Sequence, residues 1–412
     1  MRPGREDPPG RRPRTALVGT FALVLIAVVA LPWRIATEHV PALIVRRTLA
    51  TYVRVPGSAP SLAWPREGEA AVEVEGVGSF GTSGASAPAP IASVAKVMTA
   101  YVTLLEHPLG AGQSGFLMTV TPAEVAEQRQ RLALGQSILP VRAGEQISER
   151  QALQALLLPS ANNIAAMLAA HRAGGAAAFV ARMNATARAL GMRSSTYTDP
   201  SGFNPTTLST ATDQLKLARV AMREPAFAAI VEESSVELPL AGVVTNYDSL
   251  LGEDGYVGVK TGSDRAAGGC FVFAKDITVG ARRLTVLGVV LGQREGSLVP
   301  AALASARRLG DSAAAALRLI TVVPAGTSVL TATSADGRRT SAATERPLAE
   351  VGWAGLTLPI EVSGVRSGGA TLRAGQRLAT VSLEGAGAPS TAAVSRKSLG
   401  GPSLGWRLAH VL

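Results

Sequence analysis

Strand-like text occurs at two widely separated places in the first 319 residues, and that separation constrains the fold more than any other feature. "EAAVEVEGVGSFGTSG", residues 69–84, alternates as a strand pair around a glycine turn. Strand-like alternation returns only at "YVGVKTG", "GGCFVFAK" and "RLTVLGVVLG", residues 256–262, 268–275 and 283–292. The text between is apolar at helical spacing. "SVAKVMTAYVTLLEH" carries Ser93 at its start as a possible cap, and "SERQALQALLLP" opens with a Ser148–Gln151 capping box and stops at Pro159. After "SANN" follow "IAAMLAAHRAG" and "AAAFVARMNATARALGM", with a closing helix near 300–319. A strand pair, a helical middle, late strands and a last helix predict an α+β fold: an antiparallel sheet flanked by helices, not a βαβ repeat.

The flanks divide the rest of the chain. Residues 1–14 are rich in Pro, Gly and Arg and read as a disordered tail. Residues 15–33, "TALVGTFALVLIAVVALPW", carry no charge and as a helix would span about 28 Å, the thickness of a hydrocarbon core. Arg2, Arg5, Arg11, Arg12 and Arg14 precede them, which favours a cytoplasmic N-terminus and an extracytoplasmic remainder. The long apolar run reads as an uncleaved transmembrane anchor; the alternative is a cleaved signal and a released protein, because "VVA" ending at Ala30 resembles a signal-peptide cleavage site. Residues 34–60 show no periodicity and read as a linker, and 61–319 hold the sheet-and-helix domain. From 320 to 412 short β-like runs take over, with Asp336-Gly337 as a hairpin signal, predicting a small C-terminal β domain.

Bulk properties exclude several functions. The net charge of +10 suits an anionic partner, but the basic residues are scattered without interleaved aromatics, which argues against nucleic acid. Cys270 is the sole cysteine, so neither an internal disulfide nor a thiolate metal cage is available. His39, His107, His171 and His410 form no metal-spaced pair, so neither metal nor cofactor is expected.

Positive charge is supplied mostly by arginine; the lysines are only Lys96, Lys216, Lys260, Lys275 and Lys397. Arginine cannot give up its proton in a protein, whereas a buried lysine can. Lys96 alone among them has a serine three residues earlier, Ser93, and on a helix these share a face. Free N–H groups at a helix start can hold an oxyanion, and a neutral amine can take a serine proton. Ser160-Ala161-Asn162 breaks two apolar helices, and Lys260-Thr261-Gly262 closes a strand-like run. Each is unremarkable alone: a capped loop, and a solvated lysine before a turn.

Together, S-x-x-K, S-x-N and K-T-G in this order are the motif set of the serine penicillin-recognising enzymes. With "PIASVAKVMTA", "LLLPSANNIAAMLA", "STATDQLKLA" and "GVKTGSDRAAGGC", residues 61–319 resemble the D-alanyl-D-alanine carboxypeptidases, the low-molecular-mass penicillin-binding proteins. "GWAGLTLPIEV" and "AGQRLATVSLEG" resemble that family's C-terminal domain. The resemblance implies a β-lactamase/transpeptidase-like fold acting on peptidoglycan stem peptides ending in D-Ala-D-Ala, with β-lactams as covalent inhibitors. It implies Ser93 as nucleophile, Lys96 as general base and Ser160 as proton relay. Asn162 would hold the acyl amide, Lys260 and Thr261 the terminal carboxylate, and the Ser93 and Ser263 N–H groups the oxyanion. Gly262 would let the substrate backbone lie against the strand. A transpeptidase, a weak β-lactamase and a non-catalytic wall-binding protein remain as alternatives. Two departures are noted: Asp264-Arg265 stands where the family often has a threonine, which is expected to weaken carboxylate capture unless Arg265 neutralises Asp264, and the E-x-x-L-N glutamate of class A β-lactamases is absent. Cys270 reads as a small buried residue.

Overall fold

The structure, a computed structural model, describes residues 28–411 except 31, 38, 367, 368 and 385–387. It divides into two compact units, one of residues 56–320 with 351–356, the other of the remaining segments.

In the first unit five strands form one antiparallel sheet: β1 (Glu69–Val74), β2 (Gly78–Ser83), β3 (Tyr256–Asp264), β4 (Gly268–Val279) and β5 (Arg282–Gln293), in the order β3-β4-β5-β1-β2. The distant halves meet where β5 pairs with β1, Val286 opposite Val74 through Leu291 opposite Glu69. All six residues of β1 are buried, because the sheet is covered on both faces. Ala71, Val272, Ala274, Leu287 and Val289 join the core of the helical middle. On the opposite face the helix Leu298–Ala316 lies close enough that a Cβ at Gly310 would strike Phe273 and Tyr256. The helices that carry or frame the site are α1 (Lys96–Glu106), α2 (Glu149–Leu157), α3 (Asn162–Ala170) and α4 (Ala211–Ala221). The capping box of α2 is present in both directions between Ser148 and Gln151. β3 is an edge strand, which leaves one side of the K-T-G segment free for the turn that bears Ser93.

The second unit is built on a seven-stranded antiparallel sheet. The hairpin expected at Asp336-Gly337 joins Ser328–Thr333 to Arg339–Thr344, with Gly337 at φ 83° as its turn requires. Three boundaries differ from the sequence reading. Residues 34–60 are not a bare linker: Ile44–Arg47 pairs with Ser328–Thr333, and Tyr52–Arg54 with Thr357–Ser363. Strands of four and three residues are too short to display a period, and they are held by backbone bonds to distant partners. Residues 351–356 belong with the first unit, where Trp353 stacks on Phe80 at 3.8 Å between ring centroids. The C-terminal region is also not purely β, since it ends in the helix Leu404–Val411. The tail 1–14 and most of the apolar segment 15–33 lie outside the described residues; among those described, no single helix is long and apolar enough to cross a membrane.

Candidate active site

Ser93 lies in a one-turn 3₁₀ helix, Ala92–Ala95, that leads directly into α1. In 3₁₀ winding, residues three apart eclipse, so Ser93 and Lys96 are stacked more tightly than on an α-helix. Ser93 is not a helix cap: no side chain caps this turn, and Ser93 Oγ instead accepts from Lys96 Nζ at 2.7 Å.

Lys96 is fully buried. Its amine also donates to Asn162 Oδ1 at 2.6 Å and to the Ser201 carbonyl at 3.1 Å. Burial drives its pKa well below the ordinary lysine value; Lys260 and Arg131 push the same way, and Asp199 opposes them. A neutral amine has two N–H donors and one lone pair. The Ser201 carbonyl can only accept, and the Asn162 amide presents its oxygen, so the two donors are committed there. The lone pair is left for the Ser93 hydroxyl, which then becomes the donor. This arrangement can deprotonate a serine.

Ser201 is held by Asp199, whose carboxylate accepts from Ser201 N at 3.1 Å, Ser201 Oγ at 2.6 Å, Phe203 N at 3.1 Å and Thr207 Oγ1 at 2.6 Å. Gly202 is required here, because a Cβ would fall 1.8 Å from the Ala92 carbonyl oxygen. Sequence reasoning gave Asp199 and Ser201 no role. The turn-forming run "TDPSGF" was the available signal.

In the second motif the structure separates the two polar residues. Asn162, the first residue of α3, meets Lys96, and its Nδ2 donates to Gln136 Oε1 at 2.9 Å. Its oxygen and one of its two N–H donors are therefore engaged within the protein, and Asn162 also lines the cleft beside Ser93. Ser160 is buried with φ 64°, and its Oγ has no hydrogen-bond partner among the described residues.

On β3, Lys260 is 1% exposed, and burial pulls its pKa down to about 7 against the opposing pull of Asp248. Asp248, which the sequence did not single out, is itself buried and raised to about 6, chiefly by burial. One of its oxygens accepts from Leu250 N at 3.0 Å while the other has no hydrogen-bond partner among the described residues. Thr261 is buried beside Lys260. Gly262 has a packing reason of its own: a Cβ there would lie 2.9 Å from Val94 N and 3.0 Å from Ser93 N. The strand thus packs backbone to backbone against the Ser93 turn, and Ser93 and Ser263 line one cleft. That cleft, about 540 Å³, is lined by Ser93, Gln136, Asn162, Phe203, Ser263 and Arg265 among others. Asp264 does not pair with Arg265; its Oδ1 accepts from Ala267 N at 2.7 Å and closes its own turn. Cys270 is buried, its thiol pushed up to about 12 by burial, as suits a packing residue. Among the described residues no three His, Cys, Asp or Glu side chains cluster as metal ligands.

The site is thus a buried lysine bonded to a serine that lines a cleft, in a unit whose antiparallel sheet is flanked by helices. The D-alanyl-D-alanine carboxypeptidase family, peptidase S11, matches residues 82–295, just over half of the chain, and the chain belongs to that family. It is 37% identical over 204 residues to D-alanyl-D-alanine carboxypeptidase DacB2 of Mycobacterium tuberculosis, covering 48% of this chain and 65% of that protein. It is 38% identical over 136 residues to the D-alanyl-D-alanine endopeptidase of Pseudomonas aeruginosa, covering 33% of this chain and 41% of that protein. The chain therefore spans less than two thirds of the length of these relatives. The crystal structure of the Streptomyces K15 DD-transpeptidase superposes with a TM-score of 0.51 at 26% identity, covering 63% of this chain and 98% of that one. The D-alanyl-D-alanine carboxypeptidase DacD from Francisella tularensis gives 0.57 at 18% identity over 83% of this chain and 96% of that one, a likeness of fold.

Proposed function

We propose that the protein is a serine-type D-alanyl-D-alanine carboxypeptidase that trims peptidoglycan stem peptides. The observation that carries this reading is the buried Lys96 amine 2.7 Å from Ser93 Oγ, with Asn162 Oδ1 and the Ser201 carbonyl as its other two partners, acceptors that in the neutral amine take both donors and leave the lone pair for Ser93. Lys96 takes the Ser93 proton as Oγ attacks the carbonyl of the penultimate D-alanine. The developing oxyanion lies against the Ser93 and Ser263 N–H groups. Collapse breaks the amide bond, the departing D-alanine amine receives a proton through Ser160, and Ser93 is left as an ester. Water then adds to that ester with Lys96 again as base, releasing the shortened peptide and restoring the hydroxyl. Lys260 and Thr261 hold the substrate's terminal carboxylate, by charge and by hydroxyl. β-Lactams enter the same first half and stall at the ester.

A purified full-length sample given a tripeptide ending in D-Ala-D-Ala should release free D-alanine. A labelled penicillin should mark Ser93, and the mark should vanish in Ser93→Ala. Labelling elsewhere, or no D-alanine, overturns the reading. The place of action rests on sequence alone: the uncharged 15–33 segment behind five arginines anchors the chain with the catalytic unit outside the cell, or is cleaved to release it. N-terminal sequencing of the native protein separates these, since a start at Leu31 means cleavage.

A further inference from the structure

The catalytic lysine's orientation is set from outside the three motifs. Arg131 Nη1 donates to Gln136 Oε1 at 3.0 Å, and the same oxygen accepts from Asn162 Nδ2 at 2.9 Å. Asn162 Oδ1 in turn accepts from Lys96. Gln136 and Asn162 are buried, at 8% and 5% exposure, and Arg131 is tied in by Glu127. Guanidinium can only donate. Turning the Gln136 amide over would set its NH₂ against the Arg131 donors, so Arg131 fixes Gln136 with its oxygen inward. That oxygen can be satisfied on the Asn162 side only by an N–H, so Asn162 must present Nδ2 to Gln136 and Oδ1 to Lys96. Each link removes one of two otherwise similar amide orientations.

We infer that Gln136, held by Arg131, is a positioning residue for the acylation step: it locks Asn162 oxygen-first onto Lys96 and so keeps the lysine lone pair for Ser93. This rests on the reading of Lys96 as the base. The charged groups that bear on Lys96 are Lys260, Arg131 and Asp199.

The test is the rate of acylation by a labelled penicillin across pH, with melting temperature measured alongside. Gln136→Met keeps the length and apolar bulk but lacks the acceptor. It is expected to slow acylation about tenfold to a hundredfold, the loss of one buried hydrogen bond to the transition-state arrangement, and to move the acid limb to lower pH, because the ammonium form of Lys96 loses an acceptor. Gln136→Glu restores the oxygen; it should recover most of the plateau and move the acid limb to higher pH. A purely structural role would lower the melting temperature in step with the rate and shift neither limb. Wild-type rate and profile in Gln136→Met would overturn the inference. If that variant does not fold, Arg131→Met frees the Gln136 amide from the cleft's outer side and should slow acylation severalfold; an unchanged rate again overturns it. Lys96→Ala, run in parallel, separates the two readings: normal acylation there sinks the base assignment, whereas loss there with normal Gln136 and Arg131 variants sinks only this inference.

Discussion

Lys260 gives the most exacting check, because the proposed capture of a carboxylate needs its charge and its titration falls in an accessible range. Burial holds it at about 7 against the pull of Asp248. Its pKa is lowered from the ordinary lysine value, so it is cationic below about 7 and neutral above. A peptide's terminal carboxylate, with an ordinary pKa of roughly 3.5, stays charged throughout. In the free enzyme, kcat/KM should therefore be halved near pH 7, fall to about one-eleventh at pH 8 and to about one-hundredth at pH 9, a loss of about 1.4 kcal/mol per unit. The acid limb belongs to Lys96, which must be neutral to act and whose pKa lies far below normal. The alkaline limb of kcat should lie higher than that of kcat/KM, because a bound carboxylate raises the Lys260 pKa in the complex. Asp248→Asn removes the one opposing charge and should move the alkaline limb of kcat/KM to lower pH by about one unit. The assay is D-alanine release from a D-Ala-D-Ala tripeptide between pH 5 and 9, with the C-terminal carboxamide as the control lacking the anion. An alkaline limb absent below pH 9, or one that moves upward in Asp248→Asn, would refute the assignment of Lys260 as the carboxylate's cation.

Lys96→Arg should be nearly as damaging as Lys96→Ala, about 10²- to 10⁴-fold in kcat/KM or roughly 3 to 5 kcal/mol, because it keeps a charge and removes a base. Lys260→Arg should be milder, and steady-state kinetics that reverse this order reject the two roles. Gly262→Ala should push the strand off the Ser93 turn at a cost of about 1 to 3 kcal/mol in stability and slow acylation, as read by thermal melts and penicillin labelling. Native-like acylation would mean that the close approach is unimportant. Cys270, buried and with its thiol held up at about 12, should resist a thiol reagent until the protein is unfolded, which mass spectrometry before and after denaturant will show.

Much of this protein is legible in one dimension. The sheet's strands, the α2 capping box and the pairing of Ser93 with Lys96 follow from period and spacing, because each depends on residues a few positions apart. The motif order that marks the family is likewise written along the chain. Short strands such as Tyr52–Arg54 were invisible, since three residues carry no period and their partner lies some three hundred positions away. The site shows the same division. Spacing placed Lys96 beside Ser93, but only the fold supplied what lowers its pKa and fixes its partners: burial, a second lysine nearby, and acceptors from Asn162 and Ser201. Gly262 stood out by its motif, but the packing demand on it came only from the fold, because the backbone it must clear belongs to a turn about 170 residues earlier. Gln136 and Asp248 could not be found by motif at all. Their effects on the lysines act through space, by a hydrogen bond and by a buried charge, and such contacts exist only once tertiary packing has excluded water and brought distant segments together.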